Sequence, residues 1–393
     1  MAFVPKAYIL TNKIQRYEWG ERGETSFIAK LLDMHVSANI PLAEMWIGTH
    51  PLGTSELIYG GKSVLLSDLV QRYPLEILGQ RVASAFLSQF PFLLKVLSAS
   101  EPLSIQLHPS KAQAAMLHQN DPTHYPDSNH KPEIAIALER LHALAGLRDA
   151  RQITTLMTEH PALSAFVEFE AISDQPEPKQ PKLTFQSLMR NAMKKPDQLA
   201  QVIDQLAAAF QQKDSLSYRE KLFLEMCAKY PGDVGLLAIF FLKLHSLNKG
   251  QAMFIPPGVP HAYLKGNIVE CMASSDNVIR AGLTPKFNDI PTLIDVLTDQ
   301  QAILYSPDAP SYAYPAPVTE FRLWKFEMAT GKKLGESNNS VRVFLVMNGQ
   351  IRLTWLDGGL DAGRGQTILA PATLGSLEIE CLENCEIYKV DVP

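Results

Sequence analysis

The sequence predicts a mainly β protein whose strands are interrupted by an α-helical insertion. Residues 1 to 146 consist mainly of short runs with the alternating pattern of half-buried strands, apart from two short helices predicted between Val64 and Phe90. Residues 197 to 212 carry apolar side chains at helical spacing, and strand-like patterning resumes at Val234. Because 393 residues exceed one ordinary hydrophobic core, we expect two or three domains.

Composition and charge exclude several classes of function. A net charge of -5 gives no electrostatic footprint for nucleic acid or an anionic membrane. The longest apolar run, residues 234 to 242, is too short to span a bilayer, and the N-terminus lacks the pattern of a signal peptide. Four cysteines in so long a chain do not make a disulfide framework, so we expect reduced thiols and a cytoplasmic protein.

The stretch from Pro102 to Pro109 is the first candidate for chemistry. At strand period, one face carries Leu103, Ile105 and Leu107, and the other carries Ser104, Gln106 and His108. A solvated polar face is the better interpretation of this stretch alone. An amide and an imidazole two positions apart can also bind a metal together, provided that other segments supply further ligands.

A second motif lies between Gly250 and His261, with the skeleton G-x5-P-x-G-x-x-H. It predicts a strand, a rigid proline-glycine turn and a histidine at the head of the next strand. The motif resembles the second signature of the cupin β-barrel superfamily, in which this histidine binds a metal. Lys265 stands where that signature has a trailing asparagine, and the first signature is split between Gln106-x-His108 and Glu133.

Four separated motifs then agree in order and spacing with one family. They are residues 106–111 (QLHPSK), 130–133 (HKPE), 260–263 (PHAY) and 278–286 (VIRAGLTPK). Together they resemble the type I phosphomannose isomerases, also called mannose-6-phosphate isomerases, and the resemblance runs from about Tyr17 to the end of the chain.

The resemblance implies a zinc site and an activity. The zinc ligands would be Gln106, His108, Glu133 and His261, with one Zn²⁺ per chain, and Arg280 would act in catalysis. The donor set fits independently, because amide, imidazole and carboxylate groups suit Zn²⁺ and no thiolate closes the site. The implied reaction interconverts mannose 6-phosphate and fructose 6-phosphate through a metal-stabilised enediol.

Such a reaction needs acid/base groups and a cationic cradle for the phosphate. The catalytic candidates are Arg280, Lys131, Glu270, Asp276 and His130. Lys131 or Glu270 would shuttle the proton, Asp276 and His130 would help ring opening, and Arg280 would stabilise the enediolate or hold the phosphate. A surface loop is the ordinary interpretation of a carboxylate pair such as Glu270 and Asp276, but a charge between the apolar neighbours of Glu270 would be costly to bury unpaired. Candidate substrate contacts are Lys95, Ser104, Lys111, Tyr263 and Lys286.

The expected architecture has three parts. Residues 1–147 and 232–310 would form a discontinuous cupin-type, jelly-roll β-barrel catalytic domain that binds the metal. Residues 148–231 would form the helical insertion domain, and residues 311–393 a second, cupin-like C-terminal barrel. No histidine follows His261, so we expect no metal chemistry in that last barrel.

Three other functions stay open. They are a cupin isomerase for another sugar phosphate, a metal-dependent oxygenase on the same barrel, and a non-catalytic sugar-binding cupin. The Gln106 ligand argues against the oxygenase, which favours histidines with a carboxylate. We expect a monomer whose partner is a small sugar phosphate, with no nucleic acid and no membrane.

Overall fold

Two large antiparallel sheets organise the chain in the computed structural model, which describes residues 2–393. Before the helical region the chain forms eleven short strands and five helices within those described residues. The strands are β1 (Tyr8–Leu10), β2 (Lys13–Gln15), β3 (Glu21–Arg22), β4 (Pro41–Leu42), β5 (Glu44–Ile47), β6 (Glu56–Tyr59), β7 (Lys62–Leu65), β8 (Phe92–Ala99), β9 (Ile105–Leu107), β10 (Glu133–Ala137) and β11 (Leu141–Leu147). The helices are α1 (Phe27–Leu32), α2 (Leu66–Arg72), α3 (Pro74–Leu78), α4 (Gln80–Ala85) and α5 (Lys111–Asn120).

The local signals in this part of the sequence mostly predict the observed elements. Three helices rather than two lie between residues 64 and 90, with the breaks at Tyr73 and Gly79. Ser110 caps α5 with a capping box, in which its hydroxyl accepts from the Gln113 backbone N–H. Leu103 departs from the expected alternation, because β9 begins only at Ile105 and Leu103 packs against a different apolar cluster.

A run of helices follows β11. They are α6 (Ala150–Glu159), α7 (Pro161–Phe166), α8 (Phe169–Ser173), α9 (Gln180–Lys194), α10 (Pro196–Gln211), α11 (Tyr218–Lys229) and α12 (Gly235–Ala238). Their apolar faces share one core cluster with residues of β9 and of the strand at 279–282. The predicted return to strand at Val234 is wrong, because the next strand starts at Leu242. The Asp233 carboxylate accepts from the backbone N–H of Gly235 and of Leu283, which turns the chain into α12 at that point.

The remaining chain is again mainly β. Its elements are β12 (Leu242–Leu247), β13 (Ala252–Ile255), β14 (His261–Ala273), β15 (Ile279–Gly282), α13 (Ile290–Val296), β16 (Ile303–Tyr305), β17 (Ser311–Tyr314), β18 (Arg322–Met328), β19 (Lys333–Ser337), β20 (Arg342–Trp355), β21 (Gly358–Gly363), β22 (Thr367–Ala370) and β23 (Ser376–Asp391). The two predicted strands 341–347 and 351–355 are parts of one continuous strand, β20, which begins at Arg342. Its irregularity lies near Gly349, whose φ of 75° favours glycine.

The eleven-stranded sheet positions the functional groups. Its order is β16-β13-β10-β14-β8-β5-β2, and β9 and β11 attach to β14, β15 to β9, and β12 to β11. The long strand β14 changes partners along its length: residues near His261 pair with β9 and β11, and residues 266 to 273 pair with β8 and β10. The two ends of β14 therefore bring His261 and Glu270, both candidate site residues, next to different strands of the same sheet.

The eight-stranded sheet has the order β1-β22-β20-β23-β18-β17, with β19 on β23 and β21 on β20. Tyr8 pairs with Leu369, so the N-terminal strand belongs to the sheet formed by the C-terminal part of the chain. Within residues 2–393, no helix has the length and apolar character needed to cross a membrane.

Candidate functional site

Gln106 lies at the centre of a row of polar side chains. It is opposite His261 on β14 and opposite Arg280 on β15, in two antiparallel pairs. Residues directly opposite each other in antiparallel strands present their side chains on the same face. The register therefore places an amide, an imidazole and a guanidinium side by side, and Ser104 adds a hydroxyl 3.5 Å from the Gln106 Oε1.

Glu133 brings the two histidines together. Its Oε1 lies 3.4 Å from His108 Nε2, and its Oε2 lies 3.3 Å from His261 Nε2. All three residues are buried, and one ligand atom from each lies within 4.8 Å of the others. The Nζ atom of Lys131 lies 3.2 Å from the Glu133 Oε1.

The Nδ1 atom of each imidazole contacts a backbone carbonyl oxygen. His108 Nδ1 lies 2.8 Å from the Asn277 carbonyl oxygen, and His261 Nδ1 lies 3.0 Å from the Val259 carbonyl oxygen. A carbonyl only accepts, so each Nδ1 carries a proton and Nε2 is the nitrogen that each ring presents to the site. Neither Nε2 has a hydrogen-bond partner among the described residues.

This arrangement fits a metal ion. Lys131 Nζ contacts Glu133 Oε1, but Glu133 Oε2 and the Nε2 atoms of both histidines converge in a buried space without hydrogen-bond partners among the described residues, although buried polar atoms are normally hydrogen-bonded. Backbone carbonyls orient both imidazoles, which is the usual support for metal-binding histidines. With Gln106 as the fourth group, the donor set is the nitrogen and oxygen set that zinc accepts.

A buried ion-pair cluster lies beside these groups. Lys95 Nζ is 3.2 Å from the Glu44 Oε2 and 3.1 Å from the Glu270 Oε2, and it lies 5.4 Å from the centroid of a Trp46 ring. Burial opposes the charge of Lys95, but Glu44 and Glu270 outweigh it and hold its pKa above the usual value. Burial raises the pKa of Glu270 despite the nearby lysine charge.

Asp276 is held by a residue that the sequence did not indicate. His50 Nε2 lies 2.8 Å from Asp276 Oδ1, and the His50 ring is buried. Burial by itself would raise the pKa of Asp276, but the hydrogen bond and charge of His50, followed by the charges of Lys131 and Lys95, lower it below the ordinary value. The carboxylate is thus kept ionised near the cationic side chains.

His130 contacts the C-terminal half of the chain. Its Nε2 lies 2.7 Å from the Glu320 Oε1, and Lys111 Nζ lies 4.0 Å from the same oxygen. Glu320 lies two residues before the start of β18, and its side chain is buried. Two of the predicted site residues therefore meet at one carboxylate from the C-terminal part of the chain.

Cations and aromatic rings form the outer part of the site. Arg280 is half-buried, and burial alone lowers its pKa, with no charged partner contributing. Burial lowers the pKa of Lys286, and the charge of Arg280 makes a smaller contribution in the same direction. The Nζ atom of Lys286 lies 5.9 Å from the centroid of the Tyr17 ring. Tyr17 stacks on Trp19.

Tyr263 is the most buried of the predicted substrate contacts. Burial, followed by the charges of Glu270 and Glu133, raises its pKa well above the usual value, so the phenol stays neutral. The Tyr263 hydroxyl is buried without a hydrogen-bond partner among the described residues, so this neutral donor is available to a ligand in the site.

The structure brings together most of the predicted residues and adds several that the sequence interpretation missed. The missed residues around the site are Tyr17, Glu44, Trp46, His50 and Glu320. Glu44 and Trp46 alternate along β5, in which all four residues are buried, so a charged residue in a buried strand was the available signal. Glu320 gave no such signal, because its partner is 190 residues away in the sequence.

Comparisons with known proteins agree with this geometry. Residues 8–150 match the family model for the catalytic domain of type I phosphomannose isomerase, and residues 160–242 match that for its helical insertion domain. The mannose-6-phosphate isomerase of Homo sapiens is 36% identical over 368 residues, covering 83% of this chain and 86% of its own. That of Ogataea parapolymorpha is 34% identical over 423 residues and covers 99% of both chains.

Solved structures extend the likeness to the whole fold. Mannose 6-phosphate isomerase from Salmonella typhimurium, bound to f6p and zinc, superposes with a TM-score of 0.85 at 26% identity, covering 98% of this chain and 99% of the other. A zinc-bound holo structure of mannose 6-phosphate isomerase gives a TM-score of 0.84 at 26% identity, with the same coverage. The predicted fold class, a cupin-type protein with a helical insertion, is confirmed. The chain belongs to the type I phosphomannose isomerase family.

Proposed function

We propose that this chain is a zinc-dependent aldose-ketose isomerase that interconverts mannose 6-phosphate and fructose 6-phosphate through an enediol. The observation that carries the proposal is the convergence of two imidazole Nε2 atoms on the Glu133 carboxylate, where both Nε2 atoms and Glu133 Oε2 are buried without hydrogen-bond partners among the described residues. Membership of the family supplies the substrate, since relatives are named for it and a solved relative holds f6p and zinc.

Four residues would hold the zinc: Gln106, His108, Glu133 and His261. When bound, the ion would supply a Lewis acid for the reacting oxygens of the substrate. Glu133 is the single anionic ligand, so the ligand set leaves net positive charge for a developing oxyanion.

Proton transfer between C1 and C2 needs a group that can both accept and donate. Lys131 and Glu270 are the candidates, and both are buried beside the ligands. Glu270 is held by Lys95, and its raised pKa brings it closer to the working range of an acid/base group. Asp276, oriented by His50, and His130, oriented by Glu320, would assist ring opening.

The phosphate would meet the cations at the edge of the site. Arg280 has a guanidinium without an anionic partner among the described residues and lies one strand from Gln106. Lys286 and Lys111 would add charge at longer range, while Lys95, Ser104 and Tyr263 would face the sugar. Guanidinium groups bind phosphate oxygens in pairs, which makes Arg280 the best suited of these side chains.

We further propose that the protein acts as a cytoplasmic monomer, and that the catalytic domain comprises residues 1–147 and 232–310, with 148–231 as the insertion and 311–393 as the second barrel. The sheet that contains both Tyr8 and Leu369 supports a tight association of the first and last parts.

A coupled assay tests the activity directly. Mannose 6-phosphate should be converted to fructose 6-phosphate, a chelator should abolish turnover, and added Zn²⁺ should restore it. Glucose 6-phosphate serves as the competing aldose. Turnover of glucose 6-phosphate but not mannose 6-phosphate would reject the substrate assignment, and full activity after zinc has been removed would reject the metal.

A further inference from the structure

One buried face of the eight-stranded sheet is apolar along most of its length and charged at one end. Along β20, β23 and β18, the buried residues Val346, Ile387 and Phe326 form an apolar layer on the inner face. Each of these residues has a charged residue four positions away on the same face and towards the same end of the sheet. The charged residues are Arg342, Asp391 and Arg322, which are neighbours in register.

Most of the charged groups at this end of the sheet are paired. Asp391 receives Arg322 Nε at 2.9 Å and Nη2 at 3.0 Å, and Lys389 Nζ lies 3.4 Å away. Lys389 also donates to both Glu336 oxygens at 2.8 Å and lies 4.6 Å from the centroid of the Trp324 ring.

Arg342 is the exception. Its side chain is 0% exposed, and only Nη2 has an acceptor, the Gly375 carbonyl oxygen at 2.7 Å. The Nε and Nη1 atoms of Arg342 are buried without any hydrogen-bond partner among the described residues. The same is true of Trp324 Nε1 on β18, which is separated from β20 by β23. The cluster therefore contains three cations, Arg322, Arg342 and Lys389, and two carboxylates, Glu336 and Asp391.

We propose that this end of the C-terminal barrel binds a small oxyanion, of phosphate or carboxylate type, on Arg342. The ligand supplies the negative charge that the cluster lacks and the acceptor atoms that Nε and Nη1 require. A guanidinium presents several donors in one plane, which suits the oxygens of such an ion. Because Arg342 is not exposed, a small ion such as phosphate or formate fits better than a larger organic anion.

A polar cleft lies close to the charged cluster. It has a volume of about 560 Å³ and lies between α4 and the turn after β19, where Arg81, Asn338 and Asn339 are among its lining residues. Asn338 Nδ2 donates to Asp391 Oδ2 at 3.1 Å, so one residue lines the cleft and contacts the charged layer.

Isothermal titration of the zinc-loaded enzyme with inorganic phosphate, in a buffer low in chloride, tests the proposal. The variants are Arg342→Met, which removes the charge at similar length, and Arg352→Met as control. Arg352 lies on the same strand, but it is exposed and pairs with Asp361. Any phosphate bound at the Arg280 site contributes equally to all three proteins.

The wild type and Arg352→Met should bind one more phosphate per chain than Arg342→Met does, with unchanged isomerase activity in all three. Parallel titrations with sulfate and formate distinguish a tetrahedral from a carboxylate ligand. Equal stoichiometry for all three proteins with all three anions would overturn the proposal and leave ordered water as the partner of Arg342. If Arg342→Met does not fold, Arg342→Lys replaces it and should bind the anion at least ten-fold more weakly; unchanged affinity would again overturn the proposal.

Discussion

His261 Nε2 lies 3.3 Å from Glu133 Oε2, yet these two buried atoms form no hydrogen bond. His261 Nδ1 donates to the Val259 carbonyl oxygen, so Nε2 is the nitrogen that faces the carboxylate. Lys131 Nζ contacts the other Glu133 oxygen at 3.2 Å, which leaves Glu133 Oε2 and His261 Nε2 available as ligands for a metal ion. The relationship makes Glu133 the residue whose change is most informative.

Glu133→Gln should lose bound zinc. The amide keeps the volume but removes the anionic ligand, and we expect zinc affinity to fall by more than about 100-fold, the upper range for losing a residue that merely supports a ligand. Zinc content by mass spectrometry and turnover should fall together. Glu139→Gln, at an exposed position after β10 where Glu139 accepts from Asn267, is the control and should retain both. Stoichiometric zinc in Glu133→Gln would contradict the ligand assignment.

Arg280→Ala should separate binding from catalysis. If the guanidinium stabilises charge that develops in the transition state, kcat falls by about 10²- to 10³-fold. If it only holds the phosphate, KM rises while kcat is retained. We expect KM to rise, because the guanidinium has no anionic partner among the described residues and is the side chain proposed to hold the phosphate; a fall in kcat would assign it to the enediolate instead. Arg140→Ala, on an exposed turn, should change neither constant. Unchanged kinetics in Arg280→Ala would remove this residue from the site.

Lys95→Met should destabilise the protein strongly. It leaves Glu44 and Glu270 buried without their shared cation, and breaking one partner of a buried ion pair costs about 3–5 kcal/mol. The thermal midpoint of the variant should therefore fall by several degrees. Adding Glu270→Gln to Lys95→Met should recover part of the loss, because the second change removes one of the unpaired charges. Additive losses in the double variant would show that the cluster is not coupled.

The four free cysteines should react slowly in the folded protein. Burial raises the pKa of Cys227 to about 11, so about one such thiol in a thousand is thiolate at pH 8. Burial also raises the pKa of Cys271 well above its ordinary value and that of Cys385 to about 12. Labelling of Cys227 with a disulfide reagent should accelerate about ten-fold per pH unit between pH 8 and 10, because the thiolate is the reactive form.

Cys227→Ser identifies the signal from that residue, and unfolding in guanidinium should expose all four thiols. Rapid labelling of Cys227 at pH 7, independent of pH, would contradict the raised pKa.

The candidate metal ligands could be proposed from the sequence because each lies in a short local motif. Gln106 and His108 share a strand period, His261 follows a proline-glycine turn, and Glu133 opens a strand. The supporting residues could not be predicted in this way. His50 meets Asp276 across 226 positions, and His130 meets Glu320 across 190 positions.

The sequence by itself determined the alternation of strands and helices, the family and the candidate ligands, because these follow from local period, turn chemistry and motif order. The tertiary structure alone decided that β1 joins the C-terminal sheet, that Lys95 joins two carboxylates, and that Arg342 is buried with free donors. Each of these depends on the register of strands far apart in the chain. Pairing energy and packing fix that register, and no single segment encodes it.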